Sequence, residues 1–127
     1  MSESSVRYIV EDVDDAIDFY TRHLGFELVM KPGPGFAMLR RDGLRLLVNV
    51  PAGGGGAGQR LSTGELPQPG GWNRFQLQVG DLDAVVETLR DAGVTFRGDV
   101  IEGRGGRQAL AADPSGNLVE LFQPYPV

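Results

Sequence analysis

The side chains that could do chemistry in this chain are few, and their types narrow the chemistry at once. There is no cysteine and one histidine, His23. Disulfides, thiolate nucleophiles and cysteine–zinc sites are therefore excluded, and a cytosolic address is the expectation. His23 has Arg22 and Leu24 for neighbours, which offer no partners for metal ligation. It reads as a residue near the negative end of a helix dipole. What remains are carboxylates, arginines and amides on alternating strand-like runs. Glu120 lies between Val119 and Leu121, and Arg74 and Gln76 flank Phe75. A carboxylate in an apolar cleft is a candidate general base. The same carboxylate beside an arginine is an ion pair that serves either structure or ligand binding, with Arg7 as a second possible partner.

The elements that position these residues repeat. Val10-Glu-Asp-Val-Asp14 matches Val79-Gly-Asp-Leu-Asp83, and each follows an alternating apolar run and leads into a helical pattern. The first helix carries Ala16, Ile17, Tyr20 and Leu24 on one face; the second carries Val85, Val86, Leu89 and Ala92. These i, i+3/i+4 spacings bury one stripe against a sheet. Asp14 or Asp15, and Asp81 or Asp83, are suitable N-caps. Gly25 and Gly93 stand where a left-handed C-terminal residue is cheapest as glycine. Three strand-like runs follow each helix: residues 26–31, 35–41 and 44–50, then 95–99, 107–112 and 117–122. Arg41-Asp-Gly43 and Asp113-Pro-Ser-Gly116 read as tight turns.

The expected fold class is thus α+β, with two tandem βαβββ modules at about residues 4–50 and 72–124 in one domain of 127 residues. Residues 51–71, rich in glycine and proline, read as a flexible inter-module loop. The Gly53–56 tract is followed by neither Lys-Ser/Thr nor a helix signal, which argues against a phosphate cradle.

Strand alternation sorts the faces. Val6, Tyr8, Val10, Leu46, Val48, Phe75, Leu77, Val79, Val119 and Leu121 belong under the helices. Ser5, Arg7, Ile9, Leu47, Asn49, Arg74, Gln76, Gln78, Leu118, Glu120 and Phe122 face the other way. The parity of residues 107–112 is ambiguous from their own pattern.

Two tandem βαβββ modules, together with Asp18-Phe-Tyr20, Leu24-Gly-Phe26, Val79-Gly-Asp-Leu-Asp83 and above all Asp113-Pro-Ser-Gly-Asn-Leu-Val-Glu-Leu121, resemble the vicinal-oxygen-chelate (glyoxalase/bleomycin resistance/dioxygenase) superfamily. The resemblance covers nearly the whole chain. It implies a cup-shaped cleft and a homodimer. Similarity to fosfomycin-resistance relatives, counted back from the Asp-Pro turn, puts Gln108 and Leu110 in that cleft. Metal-dependent members place their ligands at positions that correspond here to Ser5, Leu47, Arg74 and Glu120. Only Glu120 is an ordinary ligand, and Arg74 brings a fixed positive charge. No metal or other cofactor is therefore expected.

The resulting expectation is a non-catalytic binder that sequesters a planar aromatic natural product or antibiotic, in the character of antibiotic-binding resistance proteins. Phe36, Met38, Leu47, Leu110 and Phe122 would form walls, with Trp72 as a platform. Asn49, Arg74, Gln76, Gln108 and Glu120 would supply hydrogen bonds. The alternative is a metal-independent isomerase, lyase or epimerase using Glu120 as base, weakened by the lack of a second acid or histidine. A purely structural or protein-interaction module leaves the polar run Arg74/Gln76/Gln78 unexplained. The net charge of −5, with scattered arginines, argues against nucleic acid. No run reaches the roughly 20 apolar residues of a membrane span. Residues 1–5 show no signal-peptide pattern, so none is expected.

Overall fold

A computed structural model describes residues 3–53 and 56–126. Gly54 and Gly55 of the tetraglycine tract read as loop, Met1 and Ser2 of the N-terminal reading, and Val127 lie outside the described residues. The chain divides into two compact units, Met1–Gly70 and Gly71–Val127.

The first unit is β1 (Ser5–Ile9), α1 (Val13–Leu24), β2 (Glu27–Gly33), β3 (Phe36–Arg41) and β4 (Leu44–Asn49). Its sheet runs β1-β4-β3-β2, with β1 parallel to β4 and the other pairs antiparallel. Helix α1 lies against β2, β3 and β4. Its N-cap is Asp12, not the expected Asp14 or Asp15. The Asp12 backbone is extended, and its carboxylate accepts from the Asp15 amide at 2.9 Å. A cap must precede the first helical residue while its side chain reaches three residues ahead; Asp14 and Asp15, already inside the first turn, are left to face the dipole. Gly25 ends the helix at φ 70°. The buried stripe is Val13, Ala16, Phe19, Tyr20 and Leu24, so Phe19 replaces Ile17, which is only half-buried. The Tyr20 ring meets Phe19 and Phe26 edge-on at 5.0 and 5.4 Å. Beneath the helix, Ala37, Leu39, Leu46 and Val48 are fully shut from solvent. Burying a Leu- or Phe-sized side chain stabilises by about 1.5–3 kcal/mol, so this stripe fixes which face of the sheet is core.

The second unit repeats the order with one change: β5 (Arg74–Gln78), α2 (Leu82–Asp91), β6 (Thr95–Phe96), β7 (Ile101–Glu102), β8 (Gly106–Ala112) and β9 (Leu118–Pro124). The strand expected over residues 95–99 is two short pieces, both antiparallel to β8. Gly98, at φ 84°, takes the chain out of the ladder between them. Asp81 caps α2, accepting from the Ala84 amide at 3.1 Å. Leu82, Val86 and Leu89 form the buried stripe, while Ala92 is exposed. Gly93 has the expected positive φ of 88°. The β8–β9 turn is an aspartate-centred lock: buried Asp113 accepts from the Ser115 and Asn117 amides, each at 2.9 Å, and from Asn117 Nδ2 at 3.2 Å. Asp113-Pro-Ser-Gly-Asn117 is thus architectural; it holds Glu120 in register. Among the described residues, no helix is long and apolar enough to cross a membrane.

Candidate functional site

In the first unit, register places side chains on the sheet face away from α1. Arg7 pairs with Leu47, Ile9 and Phe36 with Asn49, and Met38 with Leu47. A cleft of about 450 Å³ opens on this face, with Arg7, Pro32, Phe36, Asn49 and Ala57 among its lining. Phe36 and Asn49 of the sequence-named residues line it, whereas Met38 and Leu47 share the face but lie outside that lining. Asn49 is 2% exposed and accepts a hydrogen bond from Arg7 Nη1 through Oδ1. The Val50 amide donates to Gly35 O at 3.1 Å, tying the Pro34-Gly35 turn to the end of β4. Behind it, Ala52 N donates to Gly58 O at 2.6 Å. A Cβ on Gly58 would stand 2.2 Å from Val50 O, and one on Gly53 would stand 2.3 Å from Val50 Cγ2. The segment carrying Ala57 therefore folds back on Val50 only because these residues lack side chains.

Sequence reasoning put Arg7 on the correct face and offered it as a second possible partner of Glu120; the hydrogen bond it makes is to Asn49. It did not find Pro32, Pro34 or Ala57. The signal available was Lys31-Pro-Gly-Pro-Gly35, a stiff turn directly before Phe36.

In the second unit, Arg74, Gln76 and Gln78 pair with Leu118, Glu120 and Phe122, and Gln108, Leu110 and Ala112 pair with Phe122, Glu120 and Leu118. Residues directly opposite share a face. This settles the ambiguous parity: Gln108 and Leu110 stand with Glu120. Leu118 is on that face but fully buried. Glu120 Oε1 accepts from Arg74 Nε at 3.0 Å, and Oε2 accepts from Gln76 Nε2 at 2.6 Å. Arg74 also donates to Trp72 O at 3.4 Å. Trp72 is 66% exposed, with the Arg97 guanidinium 4.5 Å from its ring centroid. The half-buried Phe122 covers Gly106, where a Cβ would stand 2.8 Å from the ring's Cζ.

The donor set does not fit a divalent metal. Ser5 Oγ accepts from Arg45 Nε at 2.9 Å, Leu47 has no donor atom, and both Glu120 oxygens are engaged. Among the described residues, no three or more His, Cys, Asp or Glu side chains gather as a ligand set. His23 sits in the last turn of α1, edge-on to Phe19 at 5.6 Å.

Comparison with known proteins agrees with this architecture. Over 142 residues the chain is 28% identical to a lactoylglutathione lyase from Pseudomonas putida, an alignment covering 93% of this chain and 82% of that one. A superfamily member of known structure from Sphaerobacter thermophilus is 28% identical over 97% of each chain, with a TM-score of 0.75. TnmS3, an antibiotic binding protein from Streptomyces sp., is 27% identical over 98% of this chain and 97% of its own, with a TM-score of 0.71. The model of the Glyoxalase/Bleomycin resistance protein/Dioxygenase superfamily matches residues 4–121, so the chain belongs to that superfamily.

Proposed function

We propose that this protein binds and sequesters a small planar, aromatic natural product or antibiotic without altering it. The observation that carries this reading is the cleft of about 450 Å³ on the first unit's sheet, with Phe36 in its wall and a buried amide at its base. Such a volume falls within the roughly 300–1,000 Å³ of small-molecule sites, where apolar walls and a few oriented polar groups are the rule. An offset-stacked aromatic contact contributes on the order of 0.5–1.5 kcal/mol beyond area burial, so flat ligands gain most from Phe36. The likeness to TnmS3 supports the same reading. Within the second unit we assign Trp72, Arg74, Gln76, Gln108, Leu110, Glu120 and Phe122 to ligand contact, and within the first Met38 and Leu47 beside Phe36 and Asn49. The proposal includes a cytoplasmic location, no metal or other cofactor, and a homodimer. Leu28, Val29 and Met30 are exposed on the edge strand β2, apolar surface that association would cover. Sedimentation showing a monomer at micromolar concentration would remove the dimer.

Titration calorimetry against planar antibiotics and flavin-like compounds, with sugars and short aliphatic acids as controls, tests the binding reading. Planar compounds should bind with micromolar affinity, Phe36→Ala should weaken them at least tenfold, and mass spectrometry should recover them unchanged. Binding confined to aliphatic acids, or an altered ligand, defeats it.

The similarity to a lactoylglutathione lyase favours a second reading, a metal-independent isomerase, lyase or epimerase with Glu120 as general base. Against it, hydrogen bonds from Arg74 and Gln76 favour the charged carboxylate of Glu120, which makes it a weaker base. Turnover abolished by Glu120→Gln would establish this reading in place of the first.

A further inference from the structure

Among the described residues, no acidic side chain pairs with the arginine in the first unit's cleft. Arg7 lies mid-strand in β1 and lines the cleft, and Asn49 is its hydrogen-bond partner. An arginine offers five N–H donors on a plane that matches a carboxylate in two parallel bonds. Asn49 accepts one of these and returns no negative charge. Among the described residues, ion pairs engage Arg22, Arg40, Arg45, Arg74, Arg90 and Arg107, and none engages Arg7. The chain carries 17 acidic residues against 12 basic ones, yet no Asp or Glu is among the residues lining this cleft. The walls beside the guanidinium are Pro32, Pro34, Phe36 and Ala57, which displace water and supply no competing acceptor side chain. Partial exclusion of water strengthens a charge pair formed there.

We infer that the cleft takes a planar aromatic ligand bearing a carboxylate, its ring against Phe36 and its carboxylate against the Arg7 guanidinium. The inference rests on the binding reading above and adds the charge of the ligand to it. Asn49, accepting through Oδ1, holds the guanidinium in place and leaves its own NH₂ as a further donor. Arg7 is itself exposed, so the charge contribution is screened by salt and shrinks as ionic strength rises.

The test uses the whole protein and two fluorescent probes of nearly identical shape, anthracene-2-carboxylate and anthracene-2-carboxamide. Wild-type protein should bind the carboxylate at least tenfold more tightly, a ratio that narrows in high salt. Arg7→Met should bring the two affinities within twofold of each other, the carboxylate losing more than the carboxamide, and Arg7→Lys should fall between. Equal affinity of wild type for both probes overturns the inference and leaves the binding reading standing. If Arg7→Met weakens both probes alike, Arg7 shapes the cleft and the charge assignment falls. If neither probe binds, the inference and the binding reading fall together. Should Arg7→Met not fold, the wild-type ratio and its salt dependence still decide.

Discussion

The two units place different chemistry at equivalent points of one repeat. Setting Val10 beside Val79 makes Arg7 equivalent to Gln76, and the strand registers then make Leu47 equivalent to Glu120 and Asn49 equivalent to Phe122. On the helix-facing side the units agree: Val48 and Leu121 are buried in the last strand of each. On the opposite side they part. The second unit pairs Arg74 with its own Glu120, and Gln76 donates to the other carboxylate oxygen. The first leaves an arginine tied to a neutral amide in an apolar-walled cleft. The helix-side face answers to packing, which tolerates little variation; the other face answers to whatever it must meet.

The largest expected effects probe the half of this comparison in which the units match. Leu46→Ala and Leu121→Ala, at fully buried sites on equivalent strands, should each cost about 3 kcal/mol in urea unfolding. A wide gap between them would break the claim that the cores are equivalent. Next is the half in which they differ. Glu120→Ala strands a partly buried Arg74 and should cost about 2 kcal/mol, less than a fully buried pair. Asn49→Ala releases an arginine that already touches water, so about 1 kcal/mol is expected. The reverse order would show that the first unit's arginine depends on its amide more than the second's does on its carboxylate.

A smaller effect concerns pH. Asp14 and Asp83 are equivalent first-turn aspartates, paired with Lys31 and with Arg107 respectively. The hydrogen bonds from Arg107 hold the Asp83 carboxyl below its usual range; slight desolvation opposes this, and the arginine's charge adds to it. A depressed folded pKa stabilises at neutral pH, and that contribution is lost as pH falls through the depressed value. Asp83→Asn should therefore lower stability slightly at neutral and alkaline pH and flatten the acid limb of the curve, with the least change below the depressed value. The smallest expected effect is none: dialysis against EDTA should leave the melting temperature unchanged, and elemental analysis should find no stoichiometric transition metal. One metal per chain, lost on Glu120→Ala, would mean the donor positions are misassigned.

Much of this was legible in the residues. Alternation gave the faces of β1, β4, β5 and β9, because burial on one side of a strand imposes period two. Matching aspartates and glycines located both helices. The errors have local causes. Phe19 was missed because Ile17 fits the same stripe, and only the roll of α1 on its sheet decides between them. The break at residues 97–100 was missed because a single glycine does not announce that it leaves a ladder. The parity of β8 needed its neighbour's register. The cleft itself was not legible: Phe36 and Asn49 could be read from strand period, but Pro32 and Ala57 join them only through the tertiary course of a turn and a loop.

Gly58 gives that loop an unusual authority. The chain returns over Val50 because residue 58 contributes no methyl group, and Ala57 beside it is carried to the rim of the cleft. The aperture is thus gauged by a residue absent from the cleft lining. A Cβ at position 58 would stand 2.2 Å from Val50 O, so the return of the loop that carries Ala57 would have to shift. In the proposed binder, the size of ligand admitted would then depend on a residue outside the cleft wall, separately from the groups that would recognise its chemistry.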